Sequence, residues 1–77
     1  MRIEKVKVAF GMTVCNQRKL RDMTQQELAD MIGVSQVTIN KIEHGRQTVS
    51  LEVALVLSKL LAFSLDRIPV KIKAVFE

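Results

Sequence analysis

The side chains best suited to chemistry in this chain fall on one side of the segment from residue 36 to residue 44. Wound as a helix at about 100° per residue, the segment places five of them within an arc of about 140°. Glutamine, asparagine and lysine can hydrogen-bond to base edges or phosphates, and the arc carries no acidic residue. This composition favours contact with nucleic acid over an ordinary solvated face. The five side chains are those of Gln36, Val37, Asn40, Lys41 and His44.

Two caps and a turn are expected to position this arc. Thr24 and Glu27 have the spacing of a capping box, so a helix is predicted to begin just after Thr24. Gly33 ends that helix, and Ser35 caps the next one, which carries the arc and ends near Gly45. Two short helices joined by a glycine-containing turn form a helix-turn-helix arrangement. Such pairs also occur in other α-proteins, so the outward chemistry of the second helix is what points to DNA.

The rest of the chain predicts an all-α domain of five helices. A first helix is expected over residues 11–21, while residues 2–10 fit either an extended segment or the first turns of that helix. Ser50 can cap a fourth helix, and a short fifth helix is expected over residues 65–68, immediately before a proline. Residues 70–76 begin by alternating apolar residues with lysine, which is typical of a short C-terminal strand.

Size and composition limit what the chain can be. Its 77 residues, 1–77, suffice for a single domain, with a core expected over about residues 10–68 and a tail over 69–77 that fits an extended conformation. Apolar residues make up 48% of the chain and Trp and Tyr are absent, which is typical of a small helical bundle. With one cysteine, no signal-peptide pattern and no membrane-spanning run, the protein is expected in the cytoplasm, associated with the nucleoid.

The distribution of charge favours an anionic partner. The net charge is +4, from 12 Lys and Arg residues against 8 Asp and Glu residues. Basic residues concentrate before residue 24, and Lys41 and Arg46 add two more around the polar arc, whereas the acidic residues are spread singly. A basic surface assembled from several segments suits a polyanion such as double-stranded DNA.

The predicted fourth helix is apolar on nearly every side, with a narrow polar stripe at Glu52 and Lys59. A single small core can hardly bury all of this surface, so we expect a symmetric homodimer to cover part of it. The alternative is that the tail strand or the fifth helix covers it. The residues expected at the dimer interface are Leu55, Val56, Lys59, Leu60, Phe63 and Ile68.

A chain of short motifs resembles the Cro/cI-type phage repressor family, also called the xenobiotic-response-element-like helix-turn-helix family. The resemblance covers about residues 10–68 and implies a compact, five-helix, usually dimeric domain that binds DNA operators and regulates transcription. Members include phage repressors, restriction–modification controller proteins and antitoxins. The motifs that carry the resemblance are Arg18, Met23–Ala29, Gly33–Gln36, Ile39, Ile42–Arg46, Ser50–Glu52, Leu60–Leu61 and Ser64–Asp66.

The resemblance assigns roles in DNA binding to individual residues. Base reading in the major groove is assigned to Gln36, Val37, Asn40 and Lys41. Contact with the phosphate backbone is assigned to Gln25, Arg18, His44, Arg46 and Thr48.

One of these residues has a second expected role, and three others have an alternative role. Arg18 is also expected to form a partly buried ion pair with Glu43, which turns the acid of the recognition helix away from DNA. Gln25 could instead be an ordinary first-turn residue, and His44 a solvated one that favours the helix C-terminus. Thr48 could cap the next helix rather than bind a phosphate.

Val37 is an apolar residue on an otherwise polar arc. In the major groove, the 5-methyl group of thymine is the apolar feature that such a side chain can contact. We therefore predict that Val37 contacts a thymine methyl beside an adenine that Gln36 reads through two hydrogen bonds.

The function expected from the sequence is that of a dimeric, sequence-specific regulator on a roughly palindromic operator. The alternative is a protein-interaction module, such as an antitoxin that binds a partner protein through its fourth helix or its tail. The sequence shows no nucleophile–base pair, metal-ligand spacing or glycine-rich phosphate loop, so we expect no enzyme activity, cofactor or small-molecule substrate.

Overall fold

The computed structural model describes residues 3–64, and that part of the chain is all-α, with four helices and no strand. The all-α class is therefore confirmed for the described residues. The fifth helix expected over residues 65–68 and the strand expected over 70–76 lie outside them. The four helices are α1 (Ile3–Leu20), α2 (Gln25–Ile32), α3 (Gln36–Glu43) and α4 (Leu51–Leu60).

Helix α1 begins well before residue 11, which decides between the two alternatives for the N-terminal segment. Val6, Phe10 and Val14 follow one another at helical spacing and are all buried. Val8 lies between them on the other side of the helix and remains 46% exposed. The segment is therefore helical, and its apolar residues are shared between the core and the surface.

The turn between α2 and α3 forms as the sequence predicts. The Thr24 hydroxyl accepts a hydrogen bond from the Glu27 backbone N–H, and the Glu27 carboxylate accepts one from the Thr24 backbone N–H. Gly33 ends α2 in the left-handed conformation, with φ of 78°. The Ser35 hydroxyl then caps α3 by accepting from the Thr38 backbone N–H. Local chemistry thus sets both the start of α2 and the start of α3.

One hydrophobic core joins all four helices. Helix α3 packs against both α1 and α2 and contributes Ile39 and Ile42, which are almost fully buried. Helix α4 adds Ala54 and Leu57. The core fixes the rotation of α3, so that the polar side of the helix is exposed.

Two residues expected at a dimer interface, Leu60 and Phe63, pack against this core and are half-buried by it. The Phe63 ring meets the Phe10 ring edge to face, with 6.1 Å between the ring centroids. Leu60 is half-buried against the same core. Leu55, Val56 and Lys59 are exposed, with 43% and 48% of Leu55 and Val56 accessible. Ile68 lies outside the described residues, and the dimer interface as a whole stays a prediction.

Helices α1 and α3 lie in tight contact at Gly11, which is buried. A Cβ atom at this position would collide with the backbone carbonyl oxygen of Ile42 and would stand 2.9 Å from that of Glu43. Because both obstacles are backbone atoms, they cannot move aside as a flexible side chain would. The absence of a side chain at Gly11 is what lets α3 lie against α1.

We predict that Gly11→Ala lowers the free energy of unfolding by about 1–3 kcal/mol, the usual effect of overpacking a core. Alanine is better than glycine in a helix by about 1 kcal/mol, but the collision with the α3 backbone is expected to outweigh that gain. Urea denaturation of both proteins measures the difference. The control Asn16→Ala lies on an exposed position of α1 and should change stability by less than about 0.5 kcal/mol. A Gly11→Ala variant as stable as the wild type would contradict the tight α1–α3 contact.

Candidate nucleic-acid interface

The polar arc of α3 is exposed in full. Its five residues, including Val37 with 62% of its surface accessible, all face away from the core. The opposite side of the helix is formed by Ile39 and Ile42, which are 0% and 2% exposed. The rotation of α3 is therefore the one that the 100° periodicity predicts, and Val37 is not a core residue.

The acid of α3 is held on the inner side of the helix by an arginine of α1. Arg18 Nε donates to Glu43 Oε2 at 2.7 Å, and Arg18 Nη2 donates to Glu43 Oε1 at 3.0 Å. This is the two-pronged geometry in which guanidinium and carboxylate pair most strongly. Arg18 and Glu43 are only 8% and 7% exposed. The ion pair withdraws the one negative charge of α3 from its exposed face.

Four of the five N–H groups of Arg18 are engaged inside the protein. Besides the two bonds to Glu43, its Nη1 donates to the backbone carbonyl of Met23 at 2.7 Å, and its Nη2 lies 3.8 Å from Cys15 Sγ. The guanidinium is buried and ties α1, the α1–α2 loop and α3 together. The ion pair expected for Arg18 is therefore present, and its expected contact with a phosphate stays a prediction.

Gln25 connects the buried pair to the exposed arc. Its Nε2 donates to Glu43 Oε1 at 3.0 Å, and its Oε1 lies 3.5 Å from Asn40 Nδ2, which donates to it. Gln25 is half-buried at the first position of α2, where backbone N–H groups favour an anion. It is thus a bridging residue, and the alternative of an isolated first-turn glutamine does not describe it.

The end of α3 and the loop after it present the remaining polar side chains. His44 Nδ1 donates to the backbone carbonyl of Asn40 at 2.8 Å, which leaves Nε2 on the solvent side of that bond. Arg46 and Thr48 are exposed. The cap of α4 is Ser50, whose hydroxyl accepts from the Val53 backbone N–H at 3.2 Å. Thr48 is therefore not the cap of α4.

Comparison with known families decides what this arrangement is. A helix-turn-helix family model matches residues 16–68, which is more than half of the chain. The chain belongs to the Cro/cI-type helix-turn-helix family. Proteins of this family bind DNA. Neither the curated proteins nor the solved structures contain a match.

In this helix-turn-helix chain the structure shows three connections that the sequence did not reveal. They are the backbone contact at Gly11, the bond from Arg18 to the Met23 carbonyl, and the bridge from Gln25 to Asn40. All three join residues of different elements, so no local pattern signals them. Over residues 3–64 there is no group of side chains that could hold a metal ion and no helix long and apolar enough to cross a membrane.

Arg18 and Glu43 shift each other's pKa. Burial raises the pKa of Glu43, but hydrogen bonds from Arg18 and Gln25 and the positive charge of Arg18 outweigh burial and leave that pKa below its ordinary value. The hydrogen bond and charge of Glu43 raise the pKa of Arg18 despite its burial. Both residues are therefore charged at neutral pH, with Glu43 acting only as an acceptor.

The lowered pKa of Glu43 predicts acid destabilisation. In the unfolded chain a glutamate titrates near pH 4.3, so the stabilisation from Glu43 is complete above that value and is lost as the pH falls through the lower folded pKa. Urea midpoints between about pH 7 and pH 3 should fall further for the wild type than for the double variant Arg18→Met/Glu43→Leu. The other carboxylates are the same in both proteins and provide the internal control. Equal decreases in the urea midpoint of the wild type and the double variant would contradict this role of Glu43.

Proposed function

We propose that this protein is a sequence-specific regulator of transcription that binds double-stranded DNA as a dimer, with α3 in the major groove. The observation that carries the proposal is the exposed arc of α3, which bears amides, a lysine and a histidine, while the acid of α3, Glu43, is paired on the inner side of the helix. A helix with this outward chemistry can enter the major groove without electrostatic repulsion from the phosphates.

The base-reading set of the proposal lies on the first two turns of α3. Gln36 is suited to two hydrogen bonds with adenine, and Val37 to contact with the methyl group of a neighbouring thymine. Asn40 and Lys41 follow one turn later and complete the exposed surface.

The phosphate-binding set flanks the base-reading residues on both sides. Gln25 lies at the N-terminus of α2, while His44, Arg46 and Thr48 follow the C-terminal end of α3. These positions allow phosphates on both sides of one major groove to be held, which would fix the register of α3. Arg18 remains in this set as a proposal, although four of its five N–H groups are bonded inside the protein.

The dimer of the proposal uses α4. Leu51, Leu55 and Val56 leave 44%, 43% and 48% of their surfaces accessible, although the opposite side of α4 already contributes to the core. Pairing α4 with its copy about a twofold axis would bury these side chains and present two recognition helices. Two half-sites about one helical turn apart, in a roughly palindromic operator, are the geometric consequence.

In vitro selection of bound duplexes from a random pool, followed by footprinting, tests the proposal. Recovery of a two-part consensus protected on one face of the duplex would support it. Affinity for the selected duplex should fall with salt, with a slope near −0.9 per phosphate neutralised on a plot of log K against log salt. A pool that shows no enrichment, combined with salt-independent binding, would contradict it.

Replacing Val37 tests the apolar contact in the groove. We expect Val37→Ser to weaken binding to the selected half-site by roughly 5-fold or more while leaving stability unchanged, because Val37 is exposed in the free protein. Substituting uracil for the contacted thymine should weaken the wild type and leave the variant almost unaffected. Binding assays on the two duplexes measure both effects. If thymine and uracil duplexes bind the wild type equally, Val37 does not contact the methyl group.

A protein-interaction role remains the second candidate because apolar surface extends beyond α4. Met31 at the end of α2 is 60% exposed, and a shallow apolar groove lined by Ile32, Val53 and Val56 lies between α2 and α4. A partner such as a toxin would occupy this surface. Gel filtration and a DNA-binding assay of a Val56→Glu variant separate the two functions. Loss of both the dimer and DNA binding favours the regulator. An unchanged dimer leaves the groove available to a partner protein.

A further inference from the structure

We propose that the buried carboxylate of Glu43 determines which base Asn40 accepts, acting through the side-chain amide of Gln25. The proposal rests on the proposed function, since it concerns how the DNA-reading face chooses a base. It makes Glu43 and Gln25 positioning residues for specificity, in addition to their structural bonds. The relay runs from the inside of the protein to its surface in three hydrogen-bonded steps.

The first step is set by the charge of Glu43. Its Oε2 accepts from Arg18 Nε, and its Oε1 accepts from both Arg18 Nη2 and Gln25 Nε2. An ionised carboxylate has no hydrogen to donate, so whatever touches it must be a donor. Of the two ends of the Gln25 amide, only the NH₂ end can therefore face Glu43.

The second step transfers this orientation to Asn40. With its NH₂ end against Glu43, the Gln25 amide presents Oε1 toward α3, where Asn40 Nδ2 lies 3.5 Å away, at the long end of the hydrogen-bond range. A carbonyl oxygen only accepts, so Asn40 must turn its own NH₂ group toward Gln25. The Asn40 side chain is exposed. It then offers a base its Oδ1 acceptor together with the one remaining N–H of Nδ2.

The third step is the choice of base. An acceptor beside a donor matches adenine, which presents an N6 donor beside the N7 acceptor in the major groove. Guanine presents two acceptors, O6 and N7, and would require Asn40 to turn both N–H groups outward. That rotation places Asn40 Oδ1 against Gln25 Oε1, and rotating Gln25 in turn places its oxygen against the Glu43 carboxylate. The buried charge therefore disfavours guanine and favours adenine.

The test compares adenine with guanine at the operator position where Asn40→Ala removes base preference. The variant is Gln25→Met, which keeps the volume of the side chain and leaves the bonds between Arg18 and Glu43 in place. We expect the wild type to prefer adenine by roughly 5- to 150-fold, and the variant to lose most of that ratio. The matched control is Gln26→Met, because Gln26 pairs with Asp30 on the exposed side of α2 and should leave the ratio unchanged.

A second variant keeps the test decisive if Gln25→Met fails to fold. Arg18→Met/Glu43→Leu replaces the ion pair by apolar residues and frees Gln25 to rotate, so its adenine preference should fall in the same way. An unchanged ratio in either folded variant would overturn the proposal. So would a loss of affinity equal for adenine and guanine, which would mean that Gln25 only contacts phosphate or supports α3. A wild type without any sequence preference would instead refute the proposed function itself.

Discussion

Replacing Glu43 by alanine is expected to lower the free energy of unfolding by about 3–5 kcal/mol, the usual effect of removing one partner of a buried ion pair. The change leaves the guanidinium of Arg18, whose side chain is 10% exposed, with an uncompensated charge inside the protein. For a 77-residue domain the total stability is expected to be about 4–12 kcal/mol, so this loss is a large fraction of the total.

Urea denaturation with circular dichroism measures this loss, and a double variant supplies the control. Arg18→Met/Glu43→Leu removes both charges and fills the space with apolar groups, so its stability should lie within about 1 kcal/mol of the wild type or exceed it. The comparison separates the effect of an unpaired charge from the contribution of the pair. A Glu43→Ala variant that loses less than about 1 kcal/mol would show that the pair is not held as the structure describes.

The second large effect is expected on DNA binding. Gln36→Ala should weaken binding to the selected operator by about 1–3 kcal/mol for each half-site, and by about twice that for a dimer on both half-sites. Gln36 is exposed in the free protein, so the stability of the variant should match the wild type. Fluorescence anisotropy with labelled duplex measures the affinity.

Gln26→Ala is the matched control for this experiment. Gln26 is the same residue type, is also exposed, and lies on α2 with its amide bonded to Asp30. Its replacement should leave operator affinity unchanged. If both variants bind as the wild type does, the exposed arc of α3 does not read bases.

The elements that local chemistry defines were predictable from the sequence. The Thr24–Glu27 capping box, the Gly33 turn and the Ser35 cap are each set by residues close to one another in the chain. The same holds for the rotation of α3, because its period of 3.6 residues places the apolar residues on one side. The exposed polar side of α3 could therefore be identified without the structure.

The features that join distant residues were not predictable in this way. The start of α1 was ambiguous because Val6 and Phe10 fit both alternation and helical spacing with an apolar Val8 between them. The sequence of α4 and the residues after it showed an excess of apolar side chains, but it could not tell that Phe63 turns inward while Leu55 stays exposed. Such partitioning depends on where the other helices lie.

The hydrogen bonds that link Glu43 to Asn40 through Gln25 were not predictable for the same reason. Gln25 and Glu43 lie 18 positions apart, and Asn40 lies 15 positions from Gln25. Only the packing of α2 against α3 brings the three side chains together. The proposed link from Glu43 to Asn40 therefore depends on the structure, even though membership in the helix-turn-helix family is visible in the sequence.

The central claim, that α3 reads base edges in the major groove, is tested most directly by changing single atoms of the DNA. In the selected operator, adenines of one half-site are replaced by 7-deazaadenine, which lacks the N7 acceptor of the major groove but keeps base pairing. We predict that affinity falls by roughly 5-fold or more, while replacement by 3-deazaadenine, which alters the minor groove, has little effect. Equal affinity for all three duplexes, or a loss with 3-deazaadenine alone, would contradict the claim.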